Sequence, residues 1–207
     1  MGAPFHLYRT DRDVLRVAHT VQASRSEGPE VRFCLWLQGC GLRCPGCCNP
    51  EMFDFAAPTA NDIAVADLVD EIGSASGIEG ITLLGGEPLH QAPAAGALAA
   101  AVQSLGLGVM VFTGYELDDL VAQATAAELL AHTDLLVAGP FDASARSIAR
   151  PWVGSDNQQV HLLSERYRNH PELEARRGQS IHVQLQDGEL RISGWPAVVD
   201  VVKIRTK

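Results

Sequence analysis

Apolar runs in this chain end, one after another, in glycine-containing turns that lead into helical periodicity. That alternation restricts the fold more than any other feature. Residues 31–38 (VRFCLWLQ) are mostly apolar, as a strand buried on both faces requires, and lead straight into GCGLRC. Residues 80–84 (GITLL) end at GGEP, residues 109–112 at TGYE, and residues 134–137 (DLLV) at AGPF. Helical periodicity fills the intervals. In residues 59–72, Val65, Leu68, Val69 and Ile72 recur at i, i+3, i+4 and i+7, with Thr59 as cap, Asp62 three residues on and Gly73 as stop. Residues 94–105 carry Leu98, Val102 and Leu105 on one face, and residues 116–132 carry Leu117, Leu120, Val121 and Ala124 on one stripe. A β-rich segment at 14–23 comes first. Strand, turn and helix in this order predict parallel strands joined by crossover helices. The expected class is α/β, a partial (β/α) barrel or open sheet of about four to six parallel strands, since a full barrel needs eight. The glycine-rich turns all follow strands, so they gather at the face where such folds bind ligands.

After about residue 163 the pattern changes. Residues 165–178 are polar, and SIHVQLQDGELRIS alternates apolar and polar residues around Asp187 and Gly188, which predicts a hairpin. Residues 198–204 offer a further strand. The expected division is a main domain at 1–163 and an extension at 164–207.

With 46% hydrophobic and 20% charged residues, the 207-residue chain reads as globular. Its net charge of -9 repels phosphate backbones, which argues against nucleic acid as partner. No apolar run approaches the roughly 20 residues needed to span a membrane. The start, MGAPFHLYRTDRD, lacks the apolar core of a secretion signal, so a cytoplasmic location is expected, where thiols stay reduced.

Four of the five cysteines fall within nine residues, in LQGCGLRCPGCCNP. Cys40, Cys44 and Cys47 have the spacing C-x3-C-x2-C. A structural zinc site usually takes four ligands in two pairs, and no second pair is present. A redox pair at Cys44 and Cys47 leaves Cys40 unexplained. An iron–sulfur cluster is held by thiolates in such compact loops, and three ligands on a four-iron cluster leave one iron open. Three unrelated buried cysteines are the remaining reading. Gly39, Gly41 and Gly46 let a loop fold tightly and Pro45 stiffens it. Gly85 and Gly86 allow close backbone approach, and Glu87 can accept a charge-assisted bond from an ammonium. GGEP also reads as an ordinary strand-to-helix turn, and TGYE as a helix cap. His90, His161 and His182 read as packing or surface residues, and Asp118 with Asp119 as a solvated helix face.

C-x3-C-x2-C resembles the cluster motif of the radical S-adenosylmethionine (SAM) superfamily. GCGLRCPGCCNP, LLGGEPLH, FTGYELDDL, LLVAGPF and GSDNQQVH occur in the order and spacing of the anaerobic ribonucleoside-triphosphate reductase activating enzymes, a branch of the glycyl-radical activating enzymes. The resemblance covers roughly residues 25–163. It implies a 4Fe-4S cluster on Cys40, Cys44 and Cys47, with SAM chelated at the open iron. It further implies that Gly85, Gly86 and Glu87 meet the SAM amino group, and that Thr113 and Gly114 meet its carboxylate or ribose. One-electron reduction then cleaves SAM to methionine and a 5′-deoxyadenosyl radical, which abstracts a hydrogen atom from a substrate. The implied partners are a glycyl-radical enzyme, with a peptide or small molecule as alternative substrate, and an electron donor such as flavodoxin or ferredoxin. The segment Ser155, Asp156, Asn157 and Gln158 is implied near the active-site side, with a surface turn as the alternative.

The chain departs from that family at three residues and in an extension from about residue 166 to 207 that the short reductase activators lack. Cys48 stands where an aromatic residue is usual, Ala138 where an acidic one is, and Val153 where an arginine is. The lost charges at Ala138 and Val153 bear on the partner more than on the radical chemistry, and Cys48 reads as filler beside the cluster. An iron–sulfur or zinc carrier without catalysis is the non-enzymatic reading, and GGEP and TGYE count against it.

Overall fold

The computed structural model describes residues 5, 7–147, 149–174, 181–186 and 189–194, the last two segments as backbone alone. In chain order the main elements are β1 (Val14–Ser24), β2 (Arg32–Leu37), β3 (Asn61–Ala64), α1 (Val65–Ser74), β4 (Gly80–Gly85), α2 (Ala92–Ser104) and β5 (Gly108–Phe112). There follow α3 (Leu117–Val121), α4 (Ala127–Ala131), β6 (Leu135–Ala138), β7 (Gln159–Leu162), α5 (Pro171–Glu174), β8 (Ile181–Gln186) and β9 (Glu189–Gly194).

One mixed sheet of seven strands runs β3-β1-β2-β4-β5-β6-β7. Its centre, β2-β4-β5-β6, is parallel, as the strand–turn–helix order predicts. β1, β3 and β7 are antiparallel additions, and the sheet is open, with β3 and β7 at its edges. The parallel set thus sits at the small end of the expected range.

Strand alternation divides two apolar layers. Phe33, Leu35, Leu37, Ile81, Leu83, Val109, Val111 and Leu136 point to the helical side, against Leu68, Ile72, Leu98, Val102 and Leu129. The opposite face carries Cys34, Trp36 and Leu84 packed with Met52, and Met110, Leu135 and Val137 packed with Trp152 and Tyr167. Arg32 lies fully buried at the amino ends of the parallel strands. Its guanidinium donates to Thr82 Oγ1, to the Tyr167 hydroxyl and to the carbonyls of Pro29, Ile81 and Gly108.

Two helices differ from expectation. Residues 61–64 pair with β1 as an edge strand, so α1 starts at Val65 rather than near Thr59, and Gly73 lies inside it. The span 116–132 breaks into α3 and α4. The break lets Ala126 and Leu129 reach the core while Val121 is left 67% exposed. A Cβ on Gly96 of α2 would lie 3.0 Å from the Leu129 amide, so α2 and α4 approach closely there. The predicted hairpin is present: β8 and β9 pair antiparallel with Gln186 opposite Glu189. The further strand expected at 198–204 lies outside the described residues. No helix among the described residues is long and apolar enough to cross a membrane.

Candidate active site

Three turns meet at the carboxyl ends of the parallel strands. Leu37 is level with Gly85 and Phe112 with Val137, so the segments that follow start at one height. Gln38 turns the chain out of β2, and its side-chain amide donates to the carbonyls of Glu51 (3.1 Å) and Asp54 (2.7 Å). Gly39 and Cys40 donate their backbone N–H groups to Met52 and Phe53. The loop is closed at its base, and Cys40, Cys44 and Cys47 stand half-buried on it. Only glycine fits at Gly39, where φ is +101° and a Cβ would lie 2.2 Å from the Phe55 ring. Arg43, between the first two cysteines, also takes the left-handed region with φ 48°, a conformation costing about 1–3 kcal/mol that the loop's other bonds offset.

Backbone N–H groups point at each of the three sulfurs: Leu42 and Arg43 at Cys40, Phe141 at Cys44, and Asn49 at Cys47. Burial, and after it the charge of Glu87, pushes the Cys40 thiol up to about 11. Burial pushes Cys44 up as well. Cys47 is lowered to about 6 because the thiol of Cys48 donates to it, and Cys48 is raised by the same bond.

Among the described residues no three of His, Cys, Asp or Glu converge tightly enough to hold a single metal ion. A lone zinc needs its thiolates about 2.3 Å from one centre, whereas thiolates on a cluster each bind a different iron. Cys40 feels the charge of Cys44, and Cys44 that of Cys47, so the three thiols are neighbours. Three neighbouring thiols on one loop, each facing backbone N–H donors, fit the donor set of a cluster.

The 85–88 turn is laced to this loop. Gly86 donates to the Leu37 carbonyl (2.7 Å) and Glu87 to that of Gly39 (3.0 Å). Gly85 has φ +99°, and a Cβ on Gly86 would lie 2.5 Å from the Gly39 carbonyl oxygen. Glu87 is 1% exposed. Its Oε1 accepts from the Leu89 N–H and the Thr113 hydroxyl (both 2.9 Å), and its Oε2 from the Gly114 N–H (2.8 Å). Burial raises its pKa to about 7 against the pull of those three donors. The carboxylate therefore joins the second turn to the third. A Cβ on Gly114 would meet Leu42 at 2.5 Å, which sets the third turn against the cysteine loop. Thr113 does not cap α3, which begins after Glu116.

The sequence pointed to the residues that the structure brings together, to the 155–158 segment near them and to His90 as a packing residue; the holding role of Gln91 was missed. Gln91 donates to the Gln38 and Arg16 carbonyls (both 3.1 Å) and accepts from the Arg16 N–H. His90 is buried, with Nε2 2.8 Å from the Tyr115 hydroxyl. Ser155, Asn157 and Gln158 clamp the turn after β6: Asn157 donates to Pro140, Gln158 to Gly139, and Ser155 Oγ accepts from Asp142. Phe141, whose N–H meets Cys44, belongs to that turn. The available signal was the position of His90 and Gln91 just after the GGEP turn. Cys34 is fully buried, and Cys48 is exposed beside Cys47.

Residues 26–161 match the family model described as a 4Fe-4S single cluster domain. The chain is 34% identical over 146 residues to the anaerobic ribonucleoside-triphosphate reductase-activating protein of Salmonella typhimurium, covering 66% of this chain and 91% of that one. The Escherichia coli K12 protein of the same name is 32% identical over 143 residues, with the same shares. The pyruvate formate-lyase-activating enzyme of Staphylococcus aureus is 35% identical over 128 residues, 58% of this chain and 50% of that one.

Proposed function

The chain belongs to the 4Fe-4S single cluster domain family, in its radical SAM branch of glycyl-radical activating enzymes, and from that premise we propose that it activates an anaerobic ribonucleotide reductase by abstracting a hydrogen atom from a glycine. When bound, the 4Fe-4S cluster supplies the electron that cleaves SAM and so gives the hydrogen-abstracting 5′-deoxyadenosyl radical.

Cys40, Cys44 and Cys47 would hold the cluster. Gly85 and Gly86 would let the SAM amino group approach the backbone, and Thr113 and Gly114, whose hydroxyl and N–H are taken by Glu87, would line the pocket toward its carboxylate or ribose. Glu87, expected at the SAM amino group, is buried with its oxygens bonded to Leu89, Thr113 and Gly114; it would set the spacing between those two turns and offer the ammonium its charge, which reaches Cys40 and Cys44. The single observation that carries this reading is the meeting of three thiols with both glycine turns at one end of the parallel strands. We read the open sheet as a partial barrel with its mouth at that end, a reading that rests on the parallel centre of the sheet alone.

The reductase as partner is favoured because the reductase-activating relatives are matched over nearly their whole length and the lyase-activating one over half. A peptide or small-molecule substrate is the second reading, and burial weakens it. Ala138 and Val153 are both 0% exposed, so the charges missing there answer to packing. We further assign the electron to a flavodoxin or ferredoxin, the location to the cytoplasm, and residues 164–207 to an extension of a main domain at 1–163. An acidic chain repels nucleic acid.

The test is anaerobic reconstitution, reduction and incubation with SAM, alone and with a glycyl-radical reductase encoded beside this chain. The reading predicts 5′-deoxyadenosine in both and a glycyl radical in the second by electron paramagnetic resonance. Absence of 5′-deoxyadenosine from protein carrying a full cluster contradicts it.

A further inference from the structure

We infer that His90 is a positioning residue for the cysteine loop, holding the peptide between Cys40 and Gly41 through a neutral imidazole. The inference rests on the reading of Cys40 as a cluster ligand.

His90 sits in the short turn of Pro88–Gln91 that follows Glu87. That turn starts with proline, and Glu87 caps it by accepting from the Leu89 N–H. The ring is 1% exposed and lies under the cysteine loop. Tyr8 meets it edge-on at 4.6 Å, and Phe55 and Tyr115 lie at 5.7 and 5.8 Å. Nδ1 accepts from the Gly41 N–H at 3.5 Å, the long end of hydrogen bonding. An atom that accepts carries no proton. The neutral ring therefore carries its one proton on Nε2, which donates to the Tyr115 hydroxyl at 2.8 Å. Tyr115 in turn accepts, through its carbonyl, from the Gly139 N–H, and its own N–H donates to Thr113 Oγ1. The His90 carbonyl accepts from the N–H groups of Tyr8 and Arg9 (both 3.0 Å). One residue thus joins the cysteine loop, the third turn and the segment before β1.

Gly41 follows the first ligand directly, so the orientation of its peptide fixes where Cys40 points. A hydrogen-bonded partner behind a ligand commonly changes metal affinity about 10- to 100-fold when removed.

Two isosteres separate the ring's two bonds. In His90→Asn the side-chain oxygen takes the place of Nδ1 and can still accept from Gly41. In His90→Gln the amide nitrogen takes the place of Nε2 and can still donate to Tyr115, with nothing left for Gly41. The full chain is reconstituted anaerobically, and iron retention against excess chelator is measured beside the resonance of the reduced cluster. His90→Asn is expected to retain iron and give the wild-type resonance. His90→Gln is expected to retain it about 10- to 100-fold less well with an altered resonance. Tyr115→Phe, which leaves the bond to Gly41 in place, is expected to follow His90→Asn. Wild-type retention in His90→Gln, equal losses in the two His90 variants, or a loss in Tyr115→Phe as large as in His90→Gln each overturn the proposal. A wild-type chain that takes up no cluster contradicts the functional reading instead.

Discussion

Glu87 shows how one side chain serves two demands. Its carboxylate accepts three hydrogen bonds, yet burial outweighs them and raises its pKa to about 7 from the ordinary 4.5. The folded chain therefore keeps this proton where the unfolded chain has lost it. Stability from Glu87 is fully present below about 4.5 and declines as pH rises to about 7, above which it levels off. In the cluster-free chain the thermal midpoint is expected to fall across that window, and less steeply in Glu87→Gln. Equal slopes in the two proteins contradict the assignment. That Cys40, Cys44 and Cys47 share one loop was legible in their spacing. The job of Glu87 was not, because a GGEP string says nothing of Thr113 and Gly114, 26 and 27 residues on, whose donors fill its oxygens.

At the scale of elements, the turns after β2 and β4 are fused by backbone contact. Gly85 has φ +99°, and a Cβ there would lie 2.7 Å from the Trp36 Cα, whereas Gly106 has φ +82° with nothing within 4 Å. Alanine at Gly106 meets only the left-handed penalty of about 1–3 kcal/mol. Alanine at Gly85 adds a backbone collision worth about 1–3 kcal/mol more. Urea titration should rank Gly85→Ala clearly below Gly106→Ala, and equal losses contradict the packing described here. The parallel strands were legible because each is a short apolar run closed by glycine. The edge strand β3 and the break between α3 and α4 were not. β3 is made by pairing with β1, and the break by close contact with α2, and neither partner is local in sequence.

Across the whole molecule the two ends of the parallel strands do different work. The carboxyl ends carry the thiols and glycine turns. The amino ends are closed by Arg32, whose guanidinium reaches Thr82, three carbonyls and the Tyr167 hydroxyl (2.9 Å). Hydrogen bonds to charged groups contribute about 1.5–3 kcal/mol, so Tyr167→Phe should lose about that much stability by urea titration and keep full cluster content. Cluster loss in this variant contradicts the division of labour between the ends. The division itself followed from the strand–turn–helix order, but the tie from residue 167 back to residue 32 spans most of the chain and left no local mark. The most direct test of the central claim is Mössbauer spectroscopy of the anaerobically reconstituted, iron-57-labelled chain with and without SAM. The account predicts a four-iron cluster in which one iron alone changes when SAM is added. The cluster should persist in Cys34→Ala and Cys48→Ala and be lost in alanine variants of Cys40, Cys44 or Cys47. Four irons indifferent to SAM, or a cluster that survives loss of Cys47 but not of Cys48, contradicts it.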